Sequence, residues 1–113
     1  MTMTVDHTDP AVITLTGSVT GGPEAMAFSE AVGDCLGAEC AGVIVDLSGV
    51  ELINSSGLGM LVAASRSVGS AGRAFALVGA DERVRSLLAM TRLDTIFKQY
   101  ETRQEAIDAL SAR

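Results

Sequence analysis

The sequence predicts an α/β fold, in which one mixed β-sheet of about four to five strands packs with about four helices. A continuously apolar, β-branched run from Val43 to Leu47 is typical of a central strand that is covered on both faces. On either side of it, segments with helical spacing of apolar residues alternate with short strand-like runs, which indicates right-handed crossovers. At 113 residues, the whole chain (1–113) is expected to form one domain.

Two strand-like runs open the chain and predict a β-hairpin. The first runs from Met3 to His7 and is followed by a turn at Thr8-Asp9-Pro10. The second, Ala11 to Val19, alternates in character, so that Ile13 and Leu15 share one face. Neighbouring strands with a short turn between them favour antiparallel pairing.

A loop and a first helix are predicted next. Thr20-Gly21-Gly22 reads as the loop, and Pro23 suits the first helical position because no hydrogen bond needs its missing N–H there. Gly37 can end this helix. Apolar residues recur between these points at helical spacing: Ala25, Phe28, Val32 and Leu36.

The strand from Val43 to Leu47 is expected to lead into a connector, Ser48 to Glu51, and then a second helix. Asp46, near the strand end, is interpreted as a turn-former. The helix is expected to run from about Ser56 to Gly69. Either Asn54 or Ser55 would be its N-cap, because both side chains accept hydrogen bonds well at that position.

Four elements complete the prediction. Ala74 to Val78 is a strand, Asp81-Glu82 opens a third helix, and Thr95 to Phe97 is a short final strand. Thr102-Arg103-Gln104-Glu105 has the spacing of a capping box and opens a C-terminal helix.

The charge of the chain argues against a nucleic-acid partner. The formal net charge is −6, whereas phosphate contacts need clustered Lys and Arg. The arginines are spread along the chain and are interpreted as solvated positions on helix faces. They include Arg66, Arg73, Arg83, Arg85, Arg92 and Arg103.

Neither a membrane span nor an export signal is predicted. No apolar run approaches the ~20 residues needed to cross a bilayer, and the N-terminus lacks a basic start and an apolar segment. We therefore expect a cytoplasmic protein with Cys35 and Cys40 reduced, and Cys35 in the core. The spacing of these two cysteines fits no zinc or redox motif, so no metal or cofactor is expected.

Catalytic motifs are not found, and the sequence predicts a protein that is not an enzyme. The one histidine, His7, lies in the first predicted strand, and nothing places it beside Ser55 or Ser56 as a triad requires. The glycines form neither a Gly-x-Ser-x-Gly elbow nor a phosphate-binding loop with its lysine. A small hydrolase that uses Ser55 or Ser56 is kept as an alternative, which a screen with activated esters would test.

Two adjacent hydroxyls, Ser55 and Ser56, form the remaining candidate site. They lie where the central strand gives way to the second helix. A helix N-terminus offers unpaired N–H groups and the positive end of the helix dipole. A serine there either caps the helix or carries a phosphate that the fold tolerates, and the residues alone leave both interpretations open.

The segment from Val43 to Leu61, VIVDLSGVELINSSGLGML, resembles the central signature of the STAS family, and in particular its anti-sigma factor antagonists. The resemblance extends to both sides and covers nearly the whole chain. Leu15-Thr16-Gly17-Ser18-Val19 is similar to the family's Leu-x-Gly strand end. Ala74 to Gly79 and Leu93 to Phe97 are similar to its later apolar elements.

The resemblance implies a partner-switching protein. Its partners would be an anti-sigma factor that is also a serine kinase with a histidine-kinase-like ATPase fold, and a serine phosphatase. The unphosphorylated antagonist binds the kinase and frees a sigma factor, and phosphorylation ends the binding. Carried over by position, Ser55 is the phosphorylated residue. The contact surface would comprise Asn54, Ser56, Gly57 and Leu58, with the loop Thr20, Gly21 and Gly22 nearby.

Two positions depart from the common family pattern. Asn54 stands where an aspartate is usual before the phosphorylated serine, and Thr20 stands where the loop is often acidic. An alternative within the family is a scaffold or accessory subunit, associated with a stressosome or a transporter, that acts through protein–protein contacts. For the free chain we expect a monomer or a weak dimer.

Overall fold

The computed structural model describes residues 1–38 and 40–111, and within them one five-stranded sheet packs with four α-helices. The strands are β1 (Thr2–Asp6), β2 (Ala11–Val19), β3 (Gly42–Ile53), β4 (Ala74–Val78) and β5 (Lys98–Tyr100). The helices are α1 (Pro23–Gly37), α2 (Ser55–Ser70), α3 (Glu82–Met90) and α4 (Arg103–Ser111), and a short 3-10 helix spans Leu93–Thr95.

The sheet is mixed, as the sequence predicts. Its strand order is β1-β2-β3-β4-β5, with β1 antiparallel to β2 and every other neighbouring pair parallel. The predicted hairpin and the predicted central strand are therefore both confirmed. Because three strands run parallel to β2, the carboxyl ends of all four lie at the same edge of the sheet. Helix α2 begins at this edge, directly after β3.

Helices cover the two faces of the sheet unequally. Helices α1, α2 and α3 pack on the face that carries Ile13 and Leu15, both of which are fully buried. The opposite face carries a smaller apolar cluster that α4 covers with Ala106 and Leu110. This arrangement buries β3 on both faces and explains its continuous apolar run.

Strand β3 is longer than predicted. The supposed connector, Ser48 to Glu51, belongs to the strand, which continues to Ile53 and pairs with β2 as far as Val19. The prediction of a connector was wrong because Gly49 and Glu51, on either side of Val50, are poor strand formers by themselves. Pairing with β2, through a register shift on each side of Thr16-Gly17, holds them extended.

The final strand was also placed wrongly. Thr95 to Phe97 follows the turn after α3, with Thr95 ending the 3-10 helix, and β5 begins only at Lys98. Phe97 is buried and its ring lies 5.9 Å from that of Phe75. Its apolar character therefore reflects core packing rather than strand pairing. Half of the predicted capping box is present: the Thr102 hydroxyl accepts the N–H of Glu105, while the Glu105 carboxylate accepts from that hydroxyl rather than from the Thr102 N–H.

Arg83 donates to the carbonyl oxygen of Glu51, and two further arginines that were interpreted as solvated are also engaged by the fold. Arg103 donates from Nε to Asp46 Oδ2 at 2.6 Å and from Nη2 to the hydroxyl of Thr14. Asp46 is buried and is not a turn-former, because it lies inside β3. Arg73 donates to the carbonyl oxygens of Leu36 and Cys40. These two arginines therefore connect separate elements.

Candidate interaction site at the start of helix α2

Asn54 caps helix α2. Its Oδ1 atom accepts the N–H of Gly57 at 2.9 Å, and its backbone carbonyl accepts the N–H of Leu58. The backbone of Asn54 is extended, as an N-cap requires. The choice that the sequence left open between Asn54 and Ser55 is thus decided for Asn54.

Ser55 and Ser56 are the first two residues of α2, and both are exposed. In the described part of the chain, no hydrogen bond engages the hydroxyl of either serine. Helix geometry leaves their backbone N–H groups without intrahelical acceptors. The site therefore presents a free hydroxyl at the positive end of a sixteen-residue helix.

Gly57 brings the start of α2 against the end of β2. A Cβ atom at this position would collide with the carbonyl oxygen of Val19. The same carbonyl accepts the N–H of Asn54 at 3.3 Å. Gly57 therefore allows α2 to pack closely against β2. It exposes no backbone to a partner, because it is buried.

Leu58 also lies inside the molecule. Its side chain is 4% exposed and packs in the larger core cluster. The expectation that the Leu58 side chain contributes contact surface is therefore corrected, since a partner cannot reach it in this arrangement. Helical spacing already indicated this, because Leu58 shares a face with the buried Leu61.

The loop between β2 and α1 lies beside the two serines. Gly21 has φ +81°, and a Cβ on it would come within 2.9 Å of the Cβ of Ser56. Gly21 is buried by this contact, whereas Thr20 and Gly22 are exposed on either side. The structure therefore brings together the loop and the serines that the resemblance had placed near each other. The Val19 carbonyl, which lies between the loop and the start of α2, is a backbone group, so the residue types in the sequence do not predict its role.

The hydrolase alternative lacks its histidine. His7 lies just beyond β1, next to Ala11, which pairs with Val43 at the amino end of β3. Ser55 follows the carboxyl end of the same strand, so the two groups lie at opposite edges of the sheet. No acid–base pair at Ser55 is available from this histidine.

Residues 1–38 and 40–111 contain neither a candidate metal-binding cluster nor a candidate membrane-spanning helix. No group of three or more His, Cys, Asp and Glu side chains there is arranged to hold a metal ion. In the same residues, no helix combines the length and the apolar character that a transmembrane segment needs.

Comparison with protein families and relatives identifies the fold. Residues 2–106 match the model of the STAS domain. RsfB of Mycobacterium tuberculosis, an anti-sigma-F factor antagonist, is 31% identical over 108 residues, which cover 95% of this chain and 87% of RsfB.

Thermotoga proteins show the same likeness. A Thermotoga neapolitana protein named as a candidate anti-sigma factor antagonist is 44% identical over 71 residues. That match covers 63% of each chain, less than two thirds of the relative's length. The crystal structure of such a protein from Thermotoga maritima superposes with a TM-score of 0.80 at 32% identity, covering 96% of this chain and 94% of the other. With a domain match across nearly its whole length, this chain belongs to the STAS domain family.

Proposed function

We propose that this protein is an anti-sigma factor antagonist that is controlled by phosphorylation of Ser55. Unphosphorylated, it binds an anti-sigma factor that is also a serine kinase, and so releases a sigma factor. The kinase phosphorylates Ser55 and the complex dissociates, and a serine phosphatase restores the binding form. The names of the relatives, among them RsfB, support the general role.

The observation that carries this proposal is the free hydroxyl of Ser55. The side chain is exposed and begins α2, while the capping bond is made by Asn54. A phosphate can therefore be added without removing a hydrogen bond that the helix needs. Its charge of about −1.5 to −2 would meet the positive end of the α2 dipole.

Phosphorylation of Ser55 acts on the interface with the kinase partner. Ser55 and Ser56 lie level with the Thr20–Gly22 loop, so a partner that covers these residues must approach the Ser55 hydroxyl closely. Burying a dianion without a matching cation is strongly unfavourable. The switch is thus electrostatic and steric, and requires little change in the fold.

Mass spectrometry after incubation with a kinase tests the proposal. The probe is a purified histidine-kinase-like ATPase encoded in the same genome, supplied with Mg-ATP. We expect one phosphate on wild-type protein, mapped to Ser55 and absent from Ser55→Ala. Ser56→Ala is the matched control, because it removes the neighbouring hydroxyl from the same helical turn and should still be phosphorylated.

Binding measurements complete the test. Ser55→Asp should weaken binding to the kinase, and phosphorylated protein should bind still more weakly. Kinase binding that Ser55→Asp leaves unchanged, together with no phosphate from any such ATPase of that genome, would refute the proposal. Stable binding without phosphorylation would instead favour the scaffold or accessory-subunit alternative.

A further inference from the structure

A groove lies immediately beside the proposed switch residue. It has a volume of about 480 Å³ and runs between the end of β3 and helix α3. Ile53 and Val84, both nearly buried, contribute to its lining, and it is flanked by the exposed side chains of Leu52 and Met90. Leu52 is 56% exposed and Met90 is 81% exposed.

The groove exists because β3 extends past its neighbour. β4 pairs with β3 only from Gly42 to Asp46, so the segment 47–53 continues beyond β4 with one edge facing α3. Its last residues, Leu52 and Ile53, directly precede Asn54 and Ser55. A partner seated on Ser55 therefore reaches the groove within about 10 Å along the extended strand.

The switch surface alone offers a partner little binding energy. Its exposed residues are small and polar: Thr20, Gly22, Asn54, Ser55 and Ser56. A stable interface uses about 20 to 30 residues on each side, and its energy is concentrated in buried apolar, aromatic or arginine anchors. Serine and threonine are poor anchors, so the affinity for the unphosphorylated protein must come from neighbouring surface.

Charge at the groove indicates the occupant. Among the described residues, the carboxylates of Glu51 and Glu82 have no ion-pair or hydrogen-bond partner. The nearby guanidinium of Arg83 donates to the backbone carbonyl of Glu51 and lies 3.9 Å from Asp81. The rim is therefore acidic around an apolar centre, which suits an apolar side chain flanked by Lys or Arg. A second copy of this chain, with its net charge of −6 and the same acidic rim, is a poor match.

We propose that the groove between β3 and α3 is the anchoring site for the kinase partner, and that it receives an apolar side chain carried on a basic segment of that partner. This inference rests on the proposed function. It divides the interface into two parts: the groove supplies affinity, and Ser55 supplies control.

Calorimetric titration with the kinase that phosphorylates Ser55 tests the inference. Leu52→Ser should raise the Kd at least about tenfold, the loss typical of a truncated apolar anchor. Ile96→Ser is the matched control, because Ile96 is 54% exposed and lies outside the groove. It should change the Kd less than about twofold. Met90→Ser is a second groove variant and should weaken binding as Leu52→Ser does.

Charge reversal gives an independent readout. Glu51→Lys should lower the association rate and reduce its dependence on salt, since a matching charge across the interface is lost. Glu30→Lys carries the same change on the exposed surface of α1 and should leave both quantities nearly unchanged.

The outcomes separate this inference from the proposed function. Equal affinity of Leu52→Ser, Met90→Ser and Ile96→Ser, with Ser55 still phosphorylated in the wild type, would overturn the groove assignment and leave the switch standing. A wild-type protein that binds no such kinase would overturn both. A dimer in sedimentation equilibrium that Leu52→Ser dissociates would assign the groove to a second copy and overturn the inference.

Discussion

Asn54 caps helix α2, which leaves the Ser55 hydroxyl available for the proposed phosphorylation. The Asn54 side chain holds the N–H of Gly57, and the Ser55 hydroxyl is left exposed. If the Ser55 hydroxyl were the N-cap, phosphorylation would alter the group that caps the start of the helix. With the cap on its neighbour, the proposed phosphorylation would leave the capping hydrogen bond of α2 intact.

The value of this cap can be measured. We expect Asn54→Ala to lower the free energy of unfolding by about 1 kcal/mol, because the Gly57 N–H loses its acceptor. Asn54→Asp should stay within a few tenths of a kcal/mol of wild type, since aspartate caps as well. Urea unfolding followed by circular dichroism gives both values. Equal stability of the alanine and aspartate variants would contradict the capping role.

A pair of glycines in α2 gives a matched contrast. Gly57→Ala should destabilise the fold by about 1–3 kcal/mol, because its Cβ would push against the Val19 carbonyl. Gly59→Ala has open space around the added Cβ and should raise stability by up to about 1 kcal/mol through helix propensity. Urea unfolding of both variants should show opposite signs. A stabilising Gly57→Ala would mean that α2 does not approach β2 as described.

Residue roles were only partly predictable from the sequence. Asn54 and Ser55 are both good caps, so only the hydrogen bond to Gly57 decides between them. The resemblance implied that Leu58 contributes contact surface, whereas its helical spacing places it in the core, where the structure has it. The role of Gly57 depends on the Val19 carbonyl, a backbone group 38 positions earlier in the chain.

At the scale of elements, Asp46 and Arg103 join β3 to α4. Arg103 bonds the buried Asp46 and lies 3.5 Å from Asp6 of β1, so one side chain spans several elements. Burial acts to raise the pKa of the Asp46 carboxyl. The hydrogen bonds from Ser48 and then the contact with Arg103 outweigh it, and hold that pKa below its ordinary value.

Acid should weaken this connection. Because the folded pKa of Asp46 is depressed, its contribution to stability is complete above the unfolded value of about 3.9 and is lost as the pH falls through the folded value. We expect Asp46→Asn to be less stable than wild type at neutral pH, with a difference that shrinks below about pH 4. Urea unfolding at neutral and acidic pH measures the difference.

A surface aspartate provides the control for the acid experiment. Asp34→Asn changes an exposed residue of α1 and should remain within about 0.5 kcal/mol of wild type at neutral pH. A stability difference for Asp46→Asn that stayed constant with pH would show that the Asp46 charge does not support the fold.

Elements whose ends are marked by nearby residues in the sequence were predictable. Elements that depend on contacts with residues far away in the sequence were not. Pro23 and Gly37 mark both ends of α1, and the helix has these bounds. Ser48 to Glu51 contains one strand-forming residue, Val50, and its pairing with β2 holds the segment extended. The engagement of Arg103 could not be inferred either, because Asp46 lies 57 positions away in the chain.

At the scale of the whole molecule, the proposed switch lies at one edge of the sheet and is separated from the cluster that α4 covers. We expect phosphorylation of Ser55 to shift amide resonances near residues 18–22 and 53–60, and to leave those of α4 and β5 nearly unchanged. The reason is that the charge enters at the favourable end of α2 and removes no described hydrogen bond. A heteronuclear amide spectrum of both forms makes the comparison. Shifts spread across the sheet would refute a local switch.

Charge at the other end of α2 is the matched control. Ser70 is the last residue of the helix and is exposed. Ser70→Asp should lower the free energy of unfolding by about 0.3–1 kcal/mol, whereas Ser55→Asp should maintain or raise it, because the dipole has opposite signs at the two ends. Equal effects of the two variants would indicate that the helix dipole does not determine how well a negative charge is tolerated at Ser55.

The global architecture was the most predictable level. Alternating periods of apolar residues indicated one mixed sheet with helices, and the sheet has the predicted hairpin and central strand. The groove beside Ser55 was not foreseen, because it depends on how far β3 extends past β4. Relative strand length is set by pairing between segments and leaves no periodic signal in either strand.

The strand order β1-β2-β3-β4-β5 has a consequence for how the chain is made. Each strand pairs with the one synthesised just before it, and every parallel pair is joined through an intervening helix, so the sheet grows by the addition of successive units. As the polypeptide leaves the ribosome, every new strand meets a neighbour that has already emerged. β2, β3 and α2 are complete by residue 70, so the elements that hold the serines and their loop are all synthesised before β4, α3 and α4.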